Sequence, residues 1–150
     1  MEKHNVILRV YSLGDEVLKR FITSSLGKSE ACIWHTSIEV YGTEYFFQNG
    51  IMKARPGSTI YGTPLKIHDL GATDIPEVVF EDFLFSIAED FAPHKYHLLK
   101  NNCNNFTNTL ALYLVEKSIP EYIFELQNAA LESESVSSMV DMLFGAPGQT

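Results

Sequence analysis

Lys100-Asn101-Asn102-Cys103-Asn104-Asn105-Phe106-Thr107 runs from a polar segment straight into an amphipathic one. Phe106, Leu110, Tyr113, Leu114 and Lys117 follow at spacings of three and four, the period of one helix face. Asn101 or Asn102 suits the position before the helix, where a side-chain oxygen accepts from a free N–H of the first turn. Cys103 then falls in that first turn, beside the positive end of the helix dipole, a placement expected to lower its thiol pKa. A cysteine there also fits a small buried apolar residue. Acyl-transfer chemistry would need a proton partner. The best candidate lies upstream, at His35 in Ile33-Trp34-His35-Thr36-Ser37-Ile38-Glu39-Val40.

The bulk properties narrow the function classes. A chain of 150 residues fits one principal core. Its net charge of −8, with no basic run, argues against binding a phosphate backbone. Apolar runs fall far short of a membrane span, and the first residues lack a long apolar signal region. Two cysteines, Cys32 and Cys103, make a poor disulfide framework, so both are expected free in an intracellular, cytoplasmic or nuclear setting.

Working outward, Val6 to Tyr11 is a β-branched apolar run and predicts a buried strand. Asp15 opens a helix with Val17, Leu18, Phe21, Ile22 and Leu26 on its apolar side, and Lys28-Ser29-Glu30 is a loop. Ala31 to Tyr41 predicts a strand with His35, Ser37 and Glu39 on one face and Trp34, Thr36, Ile38 and Val40 on the other. Gly42-Thr43 turns the chain into a return strand, Glu44 to Gln48. Asn49-Gly50 and Arg55 to Ser58 mark loops. Leu65 to Leu70 predicts another strand. Thr73 or Asp74 caps a helix with Pro76 in its first turn and Val79, Phe80, Phe83, Leu84, Ile87 and Phe91 as its buried stripe. The Cys103 helix is expected to end near Lys117-Ser118, and a short helical segment to run from Glu121 to Leu126. Glu132 to Ser135 reads as a flexible joint, followed by an amphipathic stretch through Phe144 and a frayed end. The order is strands, a helix, more strands, then helices, which gives an α+β class. A principal domain is placed at 1–131, with a tail at 132–150, partly helical or flexible.

Three of these stretches resemble one family, the PPPDE or DeSI family. Trp34-His35-Thr36-Ser37-Ile38 with the following Glu44-Tyr45-Phe46-Phe47 is similar to its histidine segment. Tyr96-x-Leu98-x-x-x-Asn102-Cys103-Asn104-x-Phe106 resembles its cysteine segment, and Ile119-Pro120-x-Tyr122-Ile123 the segment after it. The order and separations agree from about Asn5 to Leu131. The resemblance implies a permuted papain-like fold, a small antiparallel sheet packed with helices, His35 on a strand and Cys103 at a helix start as the catalytic pair. It also implies hydrolysis of isopeptide bonds between a SUMO- or ubiquitin-like modifier and a target lysine, and a homodimer. Gln48 and Asn49 stand where the family has small, glycine-rich residues, which bears on the substrate groove.

The remaining candidates carry weaker signals. Cys103's own backbone N–H is a natural donor to an oxyanion. Gln48 could supply a side-chain donor or be a solvated amide. Trp34 could line the groove or pack in the core. Asn102 could touch substrate but suits a cap. His94, His97 and Cys103 have poor spacing for a metal, so none is expected, nor any cofactor. Two other readings stay open: a thioesterase, which the same pair of residues would suit, and a protein-binding module without turnover. The aromatic segment Thr43–Phe47 is expected to offer exposed apolar surface to a dimer, or to be covered by the tail.

Overall fold

Alternation along the first strand sets the layer that everything else packs on. In the computed structural model, which describes residues 2–12, 20, 24 and 34–144, strand β1 (His4–Ser12) turns Val6, Leu8 and Val10 to one face, where they are fully buried. Strand β2 (Trp34–Val40) pairs with it antiparallel, Leu8 opposite Ile38 and Tyr11 opposite His35. Tyr41 and Gly42, with φ of 55° and 71°, make the tight turn into β3 (Thr43–Phe47). The turn lies one residue earlier than the sequence suggested. Thr43 pairs with Val40 instead, which spares a β-branched residue a left-handed φ.

A strand absent from the sequence reading follows. Gly50, at φ 82°, reverses the chain, and β4 (Ile51–Ala54) pairs with β3 through Phe47 and Ile51. Strand β5 (Lys66–Thr73) returns to the far side of β1, so the sheet order is β4-β3-β2-β1-β5. This corrects the expectation for Thr43–Phe47. With β4 alongside, β3 is an interior strand, and Glu44, Tyr45, Phe46 and Phe47 are buried rather than offered as exposed apolar surface.

Helix α1 (Glu77–Ile87) begins after Pro76, whose fixed φ suits that place; no side chain caps it, and Thr73 Oγ1 instead accepts from Ile75 N–H. Phe80 and Leu84 face the core, whereas Val79, expected there, is 42% exposed. Helix α2 (Cys103–Val115) lays Phe106, Leu110 and Leu114 against the sheet face formed by Ile38, Val40 and Phe47. Removing a ring such as Phe106 by substitution to Ala would cost about 3–5 kcal/mol, because the transfer and cavity terms add. Glu116 ends α2 in a left-handed conformation, earlier than Lys117-Ser118. One turn of 3₁₀ helix (Glu121–Phe124) leads into α3 (Glu125–Glu132) and then α4 (Glu134–Phe144). Ser133 makes the joint between them, its hydroxyl accepting from Val136 N–H. Val136 and Val140 of α4 are buried with Leu98, Leu99, Leu126 and Ala130 in a second, smaller cluster beneath the segment that leads to Cys103.

The helix expected from Asp15, the Lys28–Glu30 loop, Cys32 and the tail from Gly145 lie outside the described residues, Arg20 and Ser24 excepted. Among the described residues no helix is long and apolar enough to cross a membrane.

Candidate active site at the start of helix α2

The start of α2 is fixed by a reciprocal cap. Asn102 Oδ1 accepts from the N–H groups of Asn104 (2.9 Å) and Asn105 (3.2 Å), while Asn105 Oδ1 accepts from Asn102 N–H (3.0 Å). Both amide hydrogens of Asn102 are also committed, to Leu98 O and Gln127 Oε1, each at 2.7 Å. Asn102 is thus the better of the two cap candidates, and it has no amide hydrogen left to offer a substrate. Cys103 is the first residue of the helix and is buried.

The thiol lies at a seam in the sheet. β2 is paired with β1 from Trp34 to Glu39, but with β3 only from Ile38 to Val40. The backbone groups of residues 34–36 on the β3 side therefore need other partners. The helix start supplies them: Asn104 Nδ2 donates to Trp34 O (3.1 Å), and Cys103 Sγ lies 3.9 Å from that same carbonyl. Thr36 N–H points toward the sulfur and favours its thiolate.

His35 sits between Trp34 and Thr36, but its ring turns to the other face, among Tyr11, Phe46 and Tyr61. Tyr61 stacks on it, with centroids 3.5 Å apart and planes 15° apart. The imidazole is 1% exposed, and its Nε2 has no hydrogen-bond partner among the described residues. A hydrogen bond between imidazole and thiol, expected from the sequence, is therefore not made through that nitrogen.

Burial governs the protonation of both groups. It lowers the His35 pKa to about 3 and raises that of Cys103 to about 11. The thiol expectation is corrected in direction. Donors that favour the thiolate are present, namely the N–H groups of Thr36, Asn104 and Cys103 and the Tyr96 hydroxyl, but loss of water outweighs them. Burial thus favours a neutral Cys103 thiol and a neutral His35 imidazole. Tyr61 spans the two: its ring covers His35, and its hydroxyl pKa is pushed up to about 12 by burial and then by the charge Cys103 would carry.

Tyr61 and Tyr96 are functional candidates the sequence did not single out. Tyr61 lies in the loop between β4 and β5, where no periodicity marks a residue. Tyr96 stood inside the quoted cysteine segment, yet nothing local showed its hydroxyl meeting the sulfur. The loop bearing Tyr61 is tied down by Glu44, which is fully buried. Its Oε2 accepts from Tyr11 Oη and Ser37 Oγ (both 2.6 Å), and its Oε1 from Gly57 N–H (2.9 Å). Arg9 lies 4.0 Å from Glu44 Oε1 and pairs closely with Glu39.

The weaker candidates separate clearly. Gln48 is exposed beyond the end of β3. Trp34 is half-buried and meets Tyr122 edge-on, with centroids 6.0 Å apart, packed against the main core. His97 is buried with both ring nitrogens in use: Nδ1 accepts from Leu99 and Lys100 N–H (3.1 Å each), which leaves the proton on Nε2 to bond Asp141 Oδ1 at 2.6 Å. No set of three His, Cys, Asp or Glu able to hold a metal ion occurs among the described residues.

The fold is an α+β domain in which a buried cysteine opens a helix seated against the strand that carries a histidine. Residues 4–144 match the family described as "PPPDE putative peptidase domain". The chain belongs to the PPPDE peptidase family. It is 39% identical over 132 residues to Desumoylating isopeptidase 1 of Xenopus laevis, a match covering 87% of this chain and 78% of that protein. It is 38% identical over 130 residues to the proteins of that name from Homo sapiens and Rattus norvegicus, covering 85% of this chain and 77% of each.

Proposed function

We propose that the protein is a cysteine isopeptidase that releases a SUMO-like modifier from a target lysine, with Cys103 as nucleophile and His35 as general base and acid. The observation carrying this reading is that the thiol at the α2 start lies against the backbone of residues 34–36, which flank His35. Support for the substrate class comes from relatives named desumoylating isopeptidases that align over more than four-fifths of the chain.

In this mechanism Tyr61 swings off His35 and water or substrate enters, relieving the desolvation that keeps both groups neutral. His35 takes the thiol proton, and the thiolate attacks the isopeptide carbonyl. The N–H of Cys103 and the hydroxyl of Tyr96, both donors beside the sulfur, serve the resulting oxyanion. His35 then protonates the lysine amine as the C–N bond breaks, leaving the modifier on Cys103 as a thioester. A water, deprotonated by His35, attacks that thioester, and the thiol is regenerated with the proton His35 returns. We also propose that the protein acts inside the cell and as a homodimer, a state light scattering at micromolar concentration would distinguish from the 16.9 kDa chain.

The test is hydrolysis of C-terminal fluorogenic amides of SUMO and of ubiquitin, beside an S-acylated cysteine peptide. Turnover of the SUMO substrate, lost in Cys103→Ser, supports the proposal. Turnover of the acylated peptide alone would make the protein a thioesterase, and turnover that survives Cys103→Ser would remove Cys103 from the chemistry.

A further inference from the structure

The contact between α2 and the sheet is apolar along most of its length, through Phe106, Leu110 and Leu114. Its first turn is different. Thr36, Asn104 and Thr107 are all within 1% of complete burial and are joined to one another. Thr36 Oγ1 lies 2.7 Å from both Asn104 Oδ1 and Thr107 Oγ1, and the Thr107 hydroxyl also lies 3.2 Å from Asn104 O. Asn104 Nδ2 donates to Trp34 O. One amide therefore grips β2 on both sides of His35, at the residue before it and the residue after it. The same Asn104 Oδ1 is 3.8 Å from Cys103 Sγ.

Apolar packing is non-directional and would let a helix slide or rotate slightly on a sheet. Hydrogen bonds hold distance and angle, and breaking one of a buried set leaves a partner unsatisfied. A polar cluster at the one end of the interface where the reacting groups lie therefore fixes position at the place where position matters. An error of about 1 Å in such an arrangement can cost on the order of a hundredfold in rate.

We infer that Thr36 and Asn104 are positioning residues, which clamp the first turn of α2 onto β2 and so set Cys103 against His35. The inference rests on the proposed roles of those two residues. Neither clamp residue exchanges a proton with substrate; each acts through the cysteine and histidine it holds.

The test is a double-mutant cycle on the rate of iodoacetamide labelling of Cys103, with Cys32 replaced by Ala and, so that the site is open as the mechanism requires, Tyr61 replaced by Ala throughout. The rate ratio of the parent to His35→Gln measures how strongly the imidazole assists the thiol, and comparing it between backgrounds cancels any change in exposure that His35→Gln itself causes. In the Thr36→Val background this ratio should fall at least about fivefold toward one, as coupled residues are non-additive. Thr36→Ser, which keeps the hydroxyl, should restore it. Should Thr36→Val fail to fold, Asn104→Ala cuts the same ties from the helix side and should lower the ratio likewise. A parent ratio above one that is unchanged by Thr36→Val would overturn the clamp while leaving the pair intact. A parent ratio of one would overturn the pair itself, and the clamp with it.

Discussion

A histidine buried neutral makes the fold sensitive to acid, and the effect can be sized. His35 has its pKa lowered to about 3 by burial, whereas the unfolded chain protonates its histidines near 6.5. Below about pH 6.5 the unfolded state therefore binds a proton that the folded state refuses, and stability falls as pH falls toward 3. At about pH 5 the unfolded imidazole is roughly 97% protonated and the folded one roughly 1%, a free-energy loss of about 2 kcal/mol relative to about pH 7.5. For a chain of this length that is about 4–8 °C in melting temperature. The assay is urea unfolding of the wild type and of His35→Gln at both pH values. Gln cannot titrate, so its two curves should lie about 2 kcal/mol closer together than those of the wild type, while every other titrating group cancels in the comparison. Equal pH dependence in the two proteins would refute the reasoning, for it would mean that His35 is hydrated or partnered in solution.

Three further outcomes follow from the same geometry. Tyr61→Ala uncovers His35 and lets water reach the site, so iodoacetamide should label Cys103 at neutral pH at least about tenfold faster, the thiolate fraction rising as its pKa falls from about 11; an unchanged rate would mean that the ring does not seal the site. The raised Cys103 pKa implies stability that is full below about pH 9 and lost between 9 and 11. Unfolding measured across that range should show a drop that Cys103→Ala diminishes. Asp141→Leu strands the Nε2–H of buried His97 and should destabilise the fold by about 1–3 kcal/mol, whereas Asp141→Asn, which can still accept, should lose less than half of that in urea unfolding.

The sequence made legible whatever depends on neighbours in the chain. The Asn run and the three-and-four spacing of Phe106, Leu110 and Leu114 located the start of α2 to within a residue, leaving Asn101 and Asn102 both open as its cap. Alternation through Trp34 to Val40 placed His35 and Thr36 on opposite faces. What stayed hidden depends on residues brought together from afar. β4 is four residues long, with no alternation to mark it, and its pairing makes β3 interior. The thiol pKa was expected to fall because the helix start is a local feature. It rises because burial removes water from the sulfur and outweighs the donors from Thr36 and Tyr96, and no spacing rule reports that. Nothing in the chain around Glu44 marks it as buried. Its burial follows from Tyr11, Ser37 and Gly57, each more than five residues away in the chain.

The claim at the centre is that Cys103 attacks with help from His35. The most direct measurement is labelling by a SUMO C-terminal vinyl sulfone, with the modified residue located by peptide mass spectrometry and the rate compared between wild type and His35→Gln. The account predicts an adduct on Cys103 alone, formed at least about a hundredfold faster in the wild type, the range that a general base contributes. An adduct on another residue, or equal rates on Cys103 in the two proteins, would contradict it.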